Sequence, residues 1–470
     1  MSRSVTRTLV DCLAQPSRTR VHCMGIGGVG MAGLAALLSH RGFAVDGCDL
    51  GKNPLTDRLE KMGIPVAHEH SVGHLDPAPD LIVRSTAVPE SHPELVAARR
   101  LGIPVWRRGE VFPALLRDLR TVAISGTHGK TTSTAMTAHA LRCAVLNPGF
   151  FVGGEWEESG LVFQPGDGSV TVVEADESDG TLANYHPDIS VITGIDFDHM
   201  EHFRDASEFE SVFEQFVRQT QDQVIYCMDD TRVHRLVCAS GCPSIPYGCS
   251  DACQMRATDL QPFQDDLGRF GTQARIFWHG EEIGRLRLPL PGRHNIVNAL
   301  AALSVSHVIG QDLHESVRRL ESFQPVRRRL DRVGEVNGAL VYSDYAHHPT
   351  EIRCLVEAVR SMTRGRIVAV FQPHRYTRTR MLGAEFPAAF KGVDQVVLAP
   401  VYAASEEPLE GGTTDDLAEH FAAVQCVPYT VTSDLDEAWQ YAVEDVRAGD
   451  ILLLVGAGDI DRLGASCSRK

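Results

Sequence analysis

The segment GTHGKTT, residues 126–132, combines residue types that together bind phosphate groups. Gly126 and Gly129 allow a tight turn whose backbone N–H groups face one anion. Lys130 adds a positive charge, and the Thr131 hydroxyl is a ligand that Mg²⁺ accepts. The usual phosphate-binding loop has a glycine where this chain has Ile124, so the segment matches a shortened variant of that loop. This pattern predicts a phosphate cradle between a strand and a helix.

Lysine is rare in this chain, which sets Lys130 apart. The chain has five lysines, and none lies between Lys130 and Lys391. Arginine also carries a positive charge, but it lacks the compact ammonium group that fits between phosphates. The retention of a lysine here favours a phosphate-binding role.

Acidic residues follow the next two predicted strands. EADESDG supplies four acids after one strand and GIDFDHM supplies two acids and a histidine after the next: Glu174, Asp176, Glu177, Asp179, Asp196, Asp198 and His199. Like charges at this density repel unless cations or substrate donors compensate them. A divalent cation is the natural compensation, although any single acid could also be a solvated loop residue.

Two further groups of residues follow strands elsewhere in the chain. GIGGVG, residues 25–30, with Asp49 some 24 residues after Gly25, resembles a dinucleotide fingerprint, which fits NAD and a nucleotide-sugar diphosphate equally well. The last third carries a dense field of cations suited to carboxylates and phosphates: His347, His348, His374, Arg375, Arg378 and Arg380. Asn295 and Asn298 begin a predicted helix, where helix capping and a base or ribose contact both stay open.

The elements that position these residues repeat one pattern: an apolar strand, a polar or glycine-rich turn, and then a segment with helical periodicity. The strands are predicted in RVHCM, AVDGCDL, TVAIS, SVTVV, ISVIT, ALVY, RIVAVF and DILLLV. Such repeats predict an α/β protein of parallel sheets covered by helices. Ligands bind at the carboxyl ends of the strands in these sheets, which is where the unusual polar residues lie.

Composition limits the class of protein. With 470 residues, 43% of them hydrophobic, the chain is long enough for several domains. Its formal charge of −16 argues against nucleic acid or an anionic membrane as the main partner. No apolar run approaches a membrane span or a signal peptide, so we expect a cytoplasmic protein. The 12 cysteines are expected to be reduced thiols. A metal at Cys238, Cys242, Cys249 and Cys253 is a minor alternative to ordinary packing.

Taken together, eight motifs resemble the Mur ligase family over almost the whole chain: GIGGVGMAGLA, SGTHGKTTSTAM, EADESDG, IDFDHMEHF, GRHNIVNALAA, RRRLDRVGE, YSDYAHHPTEI and FQPHRYTRTR. The resemblance is greatest to the branch that adds L-alanine. It implies three domains: a Rossmann-like domain for the UDP-sugar (1–118), a central P-loop ATP-binding domain (119–326), and a Rossmann-like domain for the amino acid (327–470). RRGEVFPALLRDLR and FQPVRRRLDRVGE mark the two boundaries.

The resemblance also implies the activity and the cofactors. The expected reaction is the ATP- and Mg²⁺-dependent joining of L-alanine to the carboxylate of UDP-N-acetylmuramate, the first amino-acid addition in peptidoglycan precursor synthesis. The γ-phosphoryl group is moved onto the carboxylate, and the neutral amine attacks the resulting acyl phosphate. Oligomeric state is expected to be a monomer or a weak homodimer.

Site residues follow from the resemblance motif by motif. The residues expected to bind ATP are Gly126, Thr127, His128, Gly129, Lys130, Thr131, Thr132, Asn295, Arg328 and Asp344. Those expected to bind Mg²⁺ are Thr131, Glu174 and His199. Those expected to face the UDP-sugar are Gly27, Gly28, Asp49, His70 and Ser85, and those expected to face the amino acid and the muramyl end are Tyr345, His347, His374, Arg375 and Arg378. The catalytic candidates are Lys130, His199, His347 and Arg375, with His199 and His347 both open as the base.

Departures from the family pattern and rival functions complete the prediction. The absence of lysine from 131 to 390 excludes the carbamylated lysine of related ligases for later amino acids. The chain departs from the family pattern at Gly194, Pro148-Gly149 and Pro325. These departures concern substrate affinity and domain closure. The alternatives are a ligase that recycles a whole peptide onto the same UDP-sugar, a nucleotide-binding regulator without turnover, and an NAD-dependent dehydrogenase. A dehydrogenase function does not explain the phosphate-binding segment GTHGKTT.

Overall fold

The computed structural model describes residues 8–143, 146–156, 160–198, 202–404, 406–444 and 446–467. These residues form three separate β-sheets, of five, ten and six strands, each with helices packed on it. The α/β class and the three-part organisation predicted from the sequence are confirmed.

The first sheet is parallel and has the order β3-β2-β1-β4-β5. Its strands are β1 (Arg20–Met24), β2 (Ala44–Cys48), β3 (Val66–Ala67), β4 (Leu81–Arg84) and β5 (Val105–Arg107). Its helices are α1 (Leu9–Leu13), α2 (Val29–His40), α3 (Pro54–Lys61), α4 (Pro93–Arg100) and α5 (Arg108–Leu116). The glycine loop 25–28 therefore joins the central strand to α2.

The second sheet has the order β15-β14-β13-β12-β11-β10-β6-β9-β7-β8. Its strands are β6 (Thr121–Ser125), β7 (Gly149–Trp156), β8 (Leu161–Gln164), β9 (Thr171–Glu174), β10 (Ile189–Ile192), β11 (Gln223–Cys227), β12 (Ser244–Gly248), β13 (Met255–Gln264), β14 (Phe270–Trp278) and β15 (Glu281–Leu288). Its helices are α6 (Lys130–Leu141), α7 (Ala206–Arg218), α8 (Thr231–Ser240), α9 (Arg293–Ile309) and α10 (Leu313–Leu320).

The third sheet has the order β16-β17-β21-β18-β19-β20. Its strands are β16 (Asp331–Val336), β17 (Ala339–Asp344), β18 (Ile367–Phe371), β19 (Gln395–Leu398), β20 (Tyr429–Val431) and β21 (Ile451–Val455). Its helices are α11 (Pro349–Arg360), α12 (Tyr376–Leu382), α13 (Phe386–Ala389), α14 (Thr414–Val424) and α15 (Leu435–Glu444).

The sheets are parallel at their centres, as predicted, but three edges are antiparallel. Strands β13, β14 and β15 form an antiparallel meander, β8 pairs antiparallel with β7, and β16 pairs antiparallel with β17. A search for continuous apolar runs misses such strands because only one face is covered; β13, for example, is partly exposed along most of its length. Half-exposed antiparallel strands alternate in polarity and are joined by short turns instead of helices.

The central strand of the second sheet positions the phosphate loop. All five residues of β6 are buried. Helix α6 packs on β6, and α9 packs on α6 and on the neighbouring strand β11, with Met136, Leu300 and Leu303 in the shared core. A strand fixed on both faces holds the loop at its carboxyl end in a defined place. The loop of residues 126–129 follows directly.

The domain boundaries predicted at 118 and 326 stay proposals. The first sheet ends at Arg107 and the second begins at Thr121, while the second ends at Leu288 and the third begins at Asp331. Of the helices in the described part of the chain, none has the length and apolar character that a bilayer crossing requires.

Candidate active site

The phosphate loop has the backbone that its glycines predicted. Gly126 and Gly129 have φ angles of +131° and +80°, a region that other residues rarely enter, and Gly129 is the N-cap of α6. A side chain at Gly129 would also meet the Asn298 amide oxygen, at 2.6 Å from a Cβ. The loop therefore needs glycine here for conformation and for space.

Lys130 is fixed at the start of α6 by three acceptors. Its Nζ donates to the backbone oxygens of Gly126 (2.6 Å) and Thr127 (3.3 Å) and lies 2.8 Å from Glu177 Oε1. Burial by itself would lower the pKa of Lys130, but the charges of Glu177, Asp176 and Glu174 raise it above its ordinary value. The ammonium group is therefore charged at neutral pH.

Glu177 is a site residue that the sequence prediction did not assign individually. Its side chain is fully buried and pairs with Lys130. The signal was present, because Glu177 belongs to the acidic cluster EADESDG, but the cluster alone did not show which member faces the lysine.

Glu174 and Thr131 provide oxygen atoms at the end of β9 and the start of α6. Thr131 Oγ1 lies 3.1 Å from Glu174 Oε1, while Glu174 Oε2 accepts a hydrogen bond from the Gly153 amide (2.7 Å). A hydroxyl and a carboxylate at this spacing are hard oxygen donors of the kind that Mg²⁺ prefers. His199, the third predicted metal ligand, lies outside the described residues.

His128 links the phosphate loop to the third sheet. Its Nδ1 lies 3.3 Å from Glu351 Oε1 on α11 and its Nε2 lies 3.6 Å from Asp196 Oδ2. Burial alone would lower the pKa of His128, but the two carboxylates raise it to about 9. An imidazolium between two carboxylates therefore joins two domains, and Glu351 is a second residue that sequence reasoning missed.

Asp198 and Arg378 form a second contact between the same domains. Arg378 Nη2 donates to both carboxylate oxygens of Asp198 (2.9 and 3.1 Å), and Nε adds a third hydrogen bond (3.0 Å). Both side chains are about 5% exposed or less. The Arg378 guanidinium, predicted to face the amino acid, is thus used mainly for the contact with Asp198.

The loop after β17 positions His347. The His347 Nδ1 lies 2.9 Å from the Tyr345 carbonyl oxygen, which places the proton on Nδ1 and leaves Nε2 as an acceptor. Burial, and then the positive charge of Arg378, lower the pKa of His347 to about 4. The ring is therefore neutral at pH 7.

His374, in the loop after β18, has the opposite tautomer. Its Nδ1 accepts a hydrogen bond from Arg378 Nη1 (3.1 Å), so Nε2 carries the proton. Burial, and then the charges of His347 and Arg378, lower its pKa to about 3. The His347 and His374 rings are 5.7 Å apart, so an acceptor and a donor lie side by side.

A cavity of about 1070 Å³ brings together most of the predicted residues from all three sheets. Residues of the phosphate loop, of the acidic edge and of the third domain line it, and Val29 and Pro54 of the first domain reach its wall: Thr127, His128, Gly129, Lys130, Thr131, Glu174, Arg328, Tyr345, His347, His374, Arg375 and Arg378.

A second cavity, of about 840 Å³, lies on the other side of His128 and Gly129. Asn295 and Asp344 line it, together with Thr132, Pro262 and Leu290. Asn295 Nδ2 donates to the Pro291 carbonyl (2.8 Å), and the N-cap of α9 is Gly292, so side-chain capping is not its role. Asp344 accepts hydrogen bonds from the Leu330 and Ala346 amides, and burial raises its pKa to about 6.

Arg328 lies at the connection between the second and third domains. Arg328 and Leu330 have positive φ angles (+59° and +52°), which is uncommon for residues other than glycine. The Arg328 guanidinium donates to the carbonyl oxygens of Gly456 (2.7 Å) and Gly458 (2.9 Å) and lies over the Tyr345 ring. The side chain thus fixes the connection as well as lining the larger cavity.

The residues predicted to face the UDP-sugar form a separate group in the first domain. Gly28 is the N-cap of α2, and the Gly27 amide donates to Asp49 Oδ2 (2.7 Å). Asp49 therefore supports the glycine loop. Ser85 follows β4, and His70 Nδ1 lies 3.0 Å from Cys48 Sγ. Gly27, Gly28, Asp49, His70 and Ser85 are not among the residues that line the larger cavity in the described part of the chain.

The cysteines at 238, 242, 249 and 253 are not gathered into one cluster. All four belong to the described part of the chain, and no three of them have sulfur atoms close enough to share an ion. Cys238 lies on α8, and β12 separates Cys242 from Cys249 and Cys253, where the sequence prediction expected a loop.

Three family models match successive parts of this chain. The N-terminal model, described as Mur ligase family, catalytic domain, matches residues 20–120. The Mur ligase middle domain matches residues 124–306, and the model described as Mur ligase, glutamate ligase domain, matches residues 328–458.

Relatives match over nearly the full length. The UDP-N-acetylmuramate–L-alanine ligase of Carboxydothermus hydrogenoformans is 37% identical over 446 residues, covering 94% of this chain and 95% of the relative. The enzyme of the same name from Rubrobacter xylanophilus is 39% identical over 450 residues, covering 95% and 98%. The crystal structure of the UDP-N-acetylmuramate–alanine ligase of Thermotoga maritima superimposes with a TM-score of 0.79 at 28% identity, covering 96% and 98%. The chain therefore belongs to the Mur ligase family.

Proposed function

We propose that this chain is an ATP-dependent ligase that joins L-alanine to the carboxylate of UDP-N-acetylmuramate, the first amino-acid addition in peptidoglycan precursor synthesis. One observation carries the proposal: Lys130, the acid Glu174 and the loops with His347 and Arg375 line one cavity. Phosphoryl transfer followed by amide formation requires a phosphate cradle, an oxygen donor for a cation, and groups that bind a carboxylate and an amine. The full-length relatives carry the same activity in their names.

The phosphate loop and the acidic edge fit magnesium ATP. Lys130 offers its ammonium group to the phosphates, and the N-terminus of α6, with Gly129 as its N-cap, lines the same cavity. Thr131 and Glu174 would hold Mg²⁺, which supplies charge compensation during phosphoryl transfer. The 840 Å³ cavity, with Asn295 and Asp344 in its wall, has the size for the nucleoside.

Phosphoryl transfer makes the carboxylate reactive. The γ-phosphoryl group moves to a carboxylate oxygen of the muramyl group, ADP leaves, and the carbonyl carbon becomes open to attack. Attack by the amine then gives a tetrahedral adduct that expels phosphate as the amide forms. Lys130 and Arg375 face this space and offset the negative charge of the transferring group and of the adduct.

The amine must lose a proton before or during the attack, and the structure favours His347 over His374 as the acceptor. His347 Nε2 carries a lone pair because Nδ1 donates to Tyr345, whereas His374 Nε2 carries a proton because Nδ1 accepts from Arg378. His374 is therefore suited to donate to a carboxylate or phosphate oxygen. Bound phosphate raises the basicity of a neighbouring imidazole, since it offsets the charge of Arg378.

The UDP-sugar binds to the first domain in this proposal. The N-terminus of α2, with Gly27 and Gly28, faces the pyrophosphate, and Asp49 holds the loop in shape through the Gly27 amide. The muramyl end reaches the larger cavity past Val29, the residue after this loop. The protein is also proposed to be located in the cytoplasm and to be a monomer or weak homodimer.

A substrate screen tests the assignment directly. We expect phosphate release from ATP only when UDP-N-acetylmuramate, L-alanine and Mg²⁺ are all present. A peptide that replaced L-alanine with higher kcat/KM would favour the recycling ligase. Binding of ATP without turnover under any of these conditions would favour a regulator, and reduction of NAD would favour a dehydrogenase.

A further inference from the structure

A buried cluster in the first domain lies apart from the active site and has the composition of a metal centre. It consists of His22 on β1, Cys48 at the end of β2, His74 in the 3-10 helix Val72–Leu75, and Glu94 in the first turn of α4. One ligand atom from each lies within 4.8 Å of all the others. His22, Cys48 and Glu94 are at most 1% exposed, and His74 is half-buried.

Four of the distances between these side chains are close to the edge lengths of a tetrahedral metal site, with the sulfur next to the second oxygen of Glu94. His22 Nε2 lies 3.2 Å and His74 Nδ1 lies 3.1 Å from Glu94 Oε1. Cys48 Sγ lies 3.5 Å from His22 Nε2 and 3.9 Å from Glu94 Oε2. Zn²⁺ with bonds of about 2.0–2.3 Å to nitrogen, oxygen and sulfur has ligand atoms about 3.3–3.6 Å apart in a tetrahedral site. Small shifts of the four side chains would create that geometry.

Residues behind the cluster orient its ligands. His22 Nδ1 lies 2.5 Å from Asp46 Oδ1, and Asp46 Oδ2 accepts from Arg20 Nε (2.7 Å). A carboxylate on one ring nitrogen directs the lone pair of the other nitrogen towards a metal, which is a recurrent arrangement behind metal-binding histidines. His70 Nδ1, 3.0 Å from Cys48 Sγ, can donate a hydrogen bond to the sulfur.

Ligand type selects the ion. One thiolate, two imidazoles and one carboxylate suit Zn²⁺, whereas Mg²⁺ and Ca²⁺ take oxygen ligands almost exclusively. The thiolate and the carboxylate together balance the charge of a divalent ion, so the filled site would be neutral within the apolar group that includes Met24, Leu75 and Leu95. Four protein ligands leave no open position, which is typical of a structural site.

We propose that this chain binds one Zn²⁺ ion at His22, Cys48, His74 and Glu94. The ion joins β1, β2, the 3-10 helix and α4 on one face of the first sheet. Cys48 is followed directly by Asp49, which holds the glycine loop through Gly27. The ion therefore stabilises the domain and the shape of that loop. The site does not depend on the ligase activity.

The wild-type protein gives the first test. The full-length chain is stripped of metal with a chelator and titrated with Zn²⁺, and separately with Co²⁺, whose spectrum reports coordination. We expect one ion per chain, a rise in the unfolding temperature, tetrahedral cobalt bands and a single thiolate-to-cobalt charge-transfer band. X-ray absorption of the zinc-loaded protein should show one sulfur and three nitrogen or oxygen neighbours. Two or more sulfurs, or no stoichiometric binding, overturn the proposal.

Matched variants locate the ion. Cys48→Ser should abolish the charge-transfer band, whereas Cys23→Ser, at another buried cysteine of the same domain, should retain it. His74→Gln should weaken Zn²⁺ binding at least tenfold, whereas His68→Gln should leave it unchanged. If Cys48→Ser and His74→Gln bind Zn²⁺ as tightly as the wild type, the ion lies elsewhere and the proposal is wrong. The four groups are then a hydrogen-bonded network without metal.

Discussion

Asp198 and Arg378, 180 residues apart in the chain, form a buried pair that joins the second domain to the third. Asp198 follows β10 and Arg378 lies on α12, so the pair fixes the edge of one sheet against a helix of another. Breaking one partner of such a pair leaves a buried charge without compensation. The contact therefore keeps the two walls of the larger cavity in a fixed position relative to each other.

Arg378→Met should destabilise the protein by about 3–5 kcal/mol in free energy of unfolding, and Asp198→Asn should act in the same direction. The double variant Asp198→Asn/Arg378→Met should be less destabilised than the sum of the two single variants, as measured by urea denaturation. The control is Arg204→Met, which removes one member of an exposed ion pair and should change little. Additive single effects would contradict the pairing.

Lys130→Ala should lower kcat by at least about 10²–10³-fold, because it removes the cation that faces the phosphates. Binding of UDP-N-acetylmuramate, measured by calorimetry, should be retained because it depends on the first domain. Lys391→Ala, at an exposed lysine, is the matched control. Lys130→Ala also leaves Glu177 buried without its cation, which destabilises the fold. The double variant Lys130→Met/Glu177→Gln removes both charges, so a loss of kcat in this variant reports catalysis and not unfolding. Loss of UDP-sugar binding in that double variant would argue against the domain assignment.

Thr131→Val and Glu174→Gln should each raise the Mg²⁺ concentration for half-maximal phosphate release about 10–100-fold, since each removes an oxygen donor. Thr137→Val is the matched control on the same helix, because the Thr137 hydroxyl bonds to the Ser133 carbonyl and not to the acidic edge. An unchanged Mg²⁺ requirement in both site variants would show that the ion binds elsewhere.

Gly129→Ala should abolish nucleotide binding, whereas Gly42→Ala should leave it intact. Both glycines have positive φ angles, +80° and +87°, so each substitution costs about 1–2 kcal/mol in backbone conformation. Only Gly129 is also crowded, by Asn298, while no atom lies within 4 Å of a Cβ at Gly42. Fluorescence titration with ADP separates the two effects, and equal affinity in both variants would refute the steric argument.

The low pKa of His347, about 4, predicts how stability depends on pH. In the unfolded chain this histidine takes up a proton near pH 6.5, but in the folded protein it stays neutral down to about pH 4. The contribution of neutral His347 to the free energy of unfolding is therefore fully present above pH 6.5. It falls by up to about 3 kcal/mol as the pH drops to 4. His347→Asn should remove that part of the acid sensitivity in urea denaturation series, whereas His314→Asn, at an exposed position, should retain it.

The phosphate loop could be predicted from sequence because its chemistry is local. Gly126, Gly129 and Lys130 lie within five residues and act through backbone turns and a helix N-terminus that depend on immediate neighbours. The strands at the centre of the sheets were equally predictable, because apolar runs such as 122–124 within β6 are buried on both faces. The antiparallel edges were not, since half-exposed strands lack that signal.

The partners of the site residues were decided only by the tertiary structure. Glu177 with Lys130, Glu351 with His128 and Asp198 with Arg378 join residues that are 47, 223 and 180 positions apart. No periodicity or motif connects such positions, because which charge meets which depends on which strands become neighbours within a sheet and on how separate sheets pack. The tautomers of His347 and His374, by contrast, are set by Tyr345 and Arg378, only two and four positions away, through the local conformation of the loops after β17 and β18. Sequence by itself determined the family, the fold class and which residues are candidates, whereas packing decided which of these residues act together.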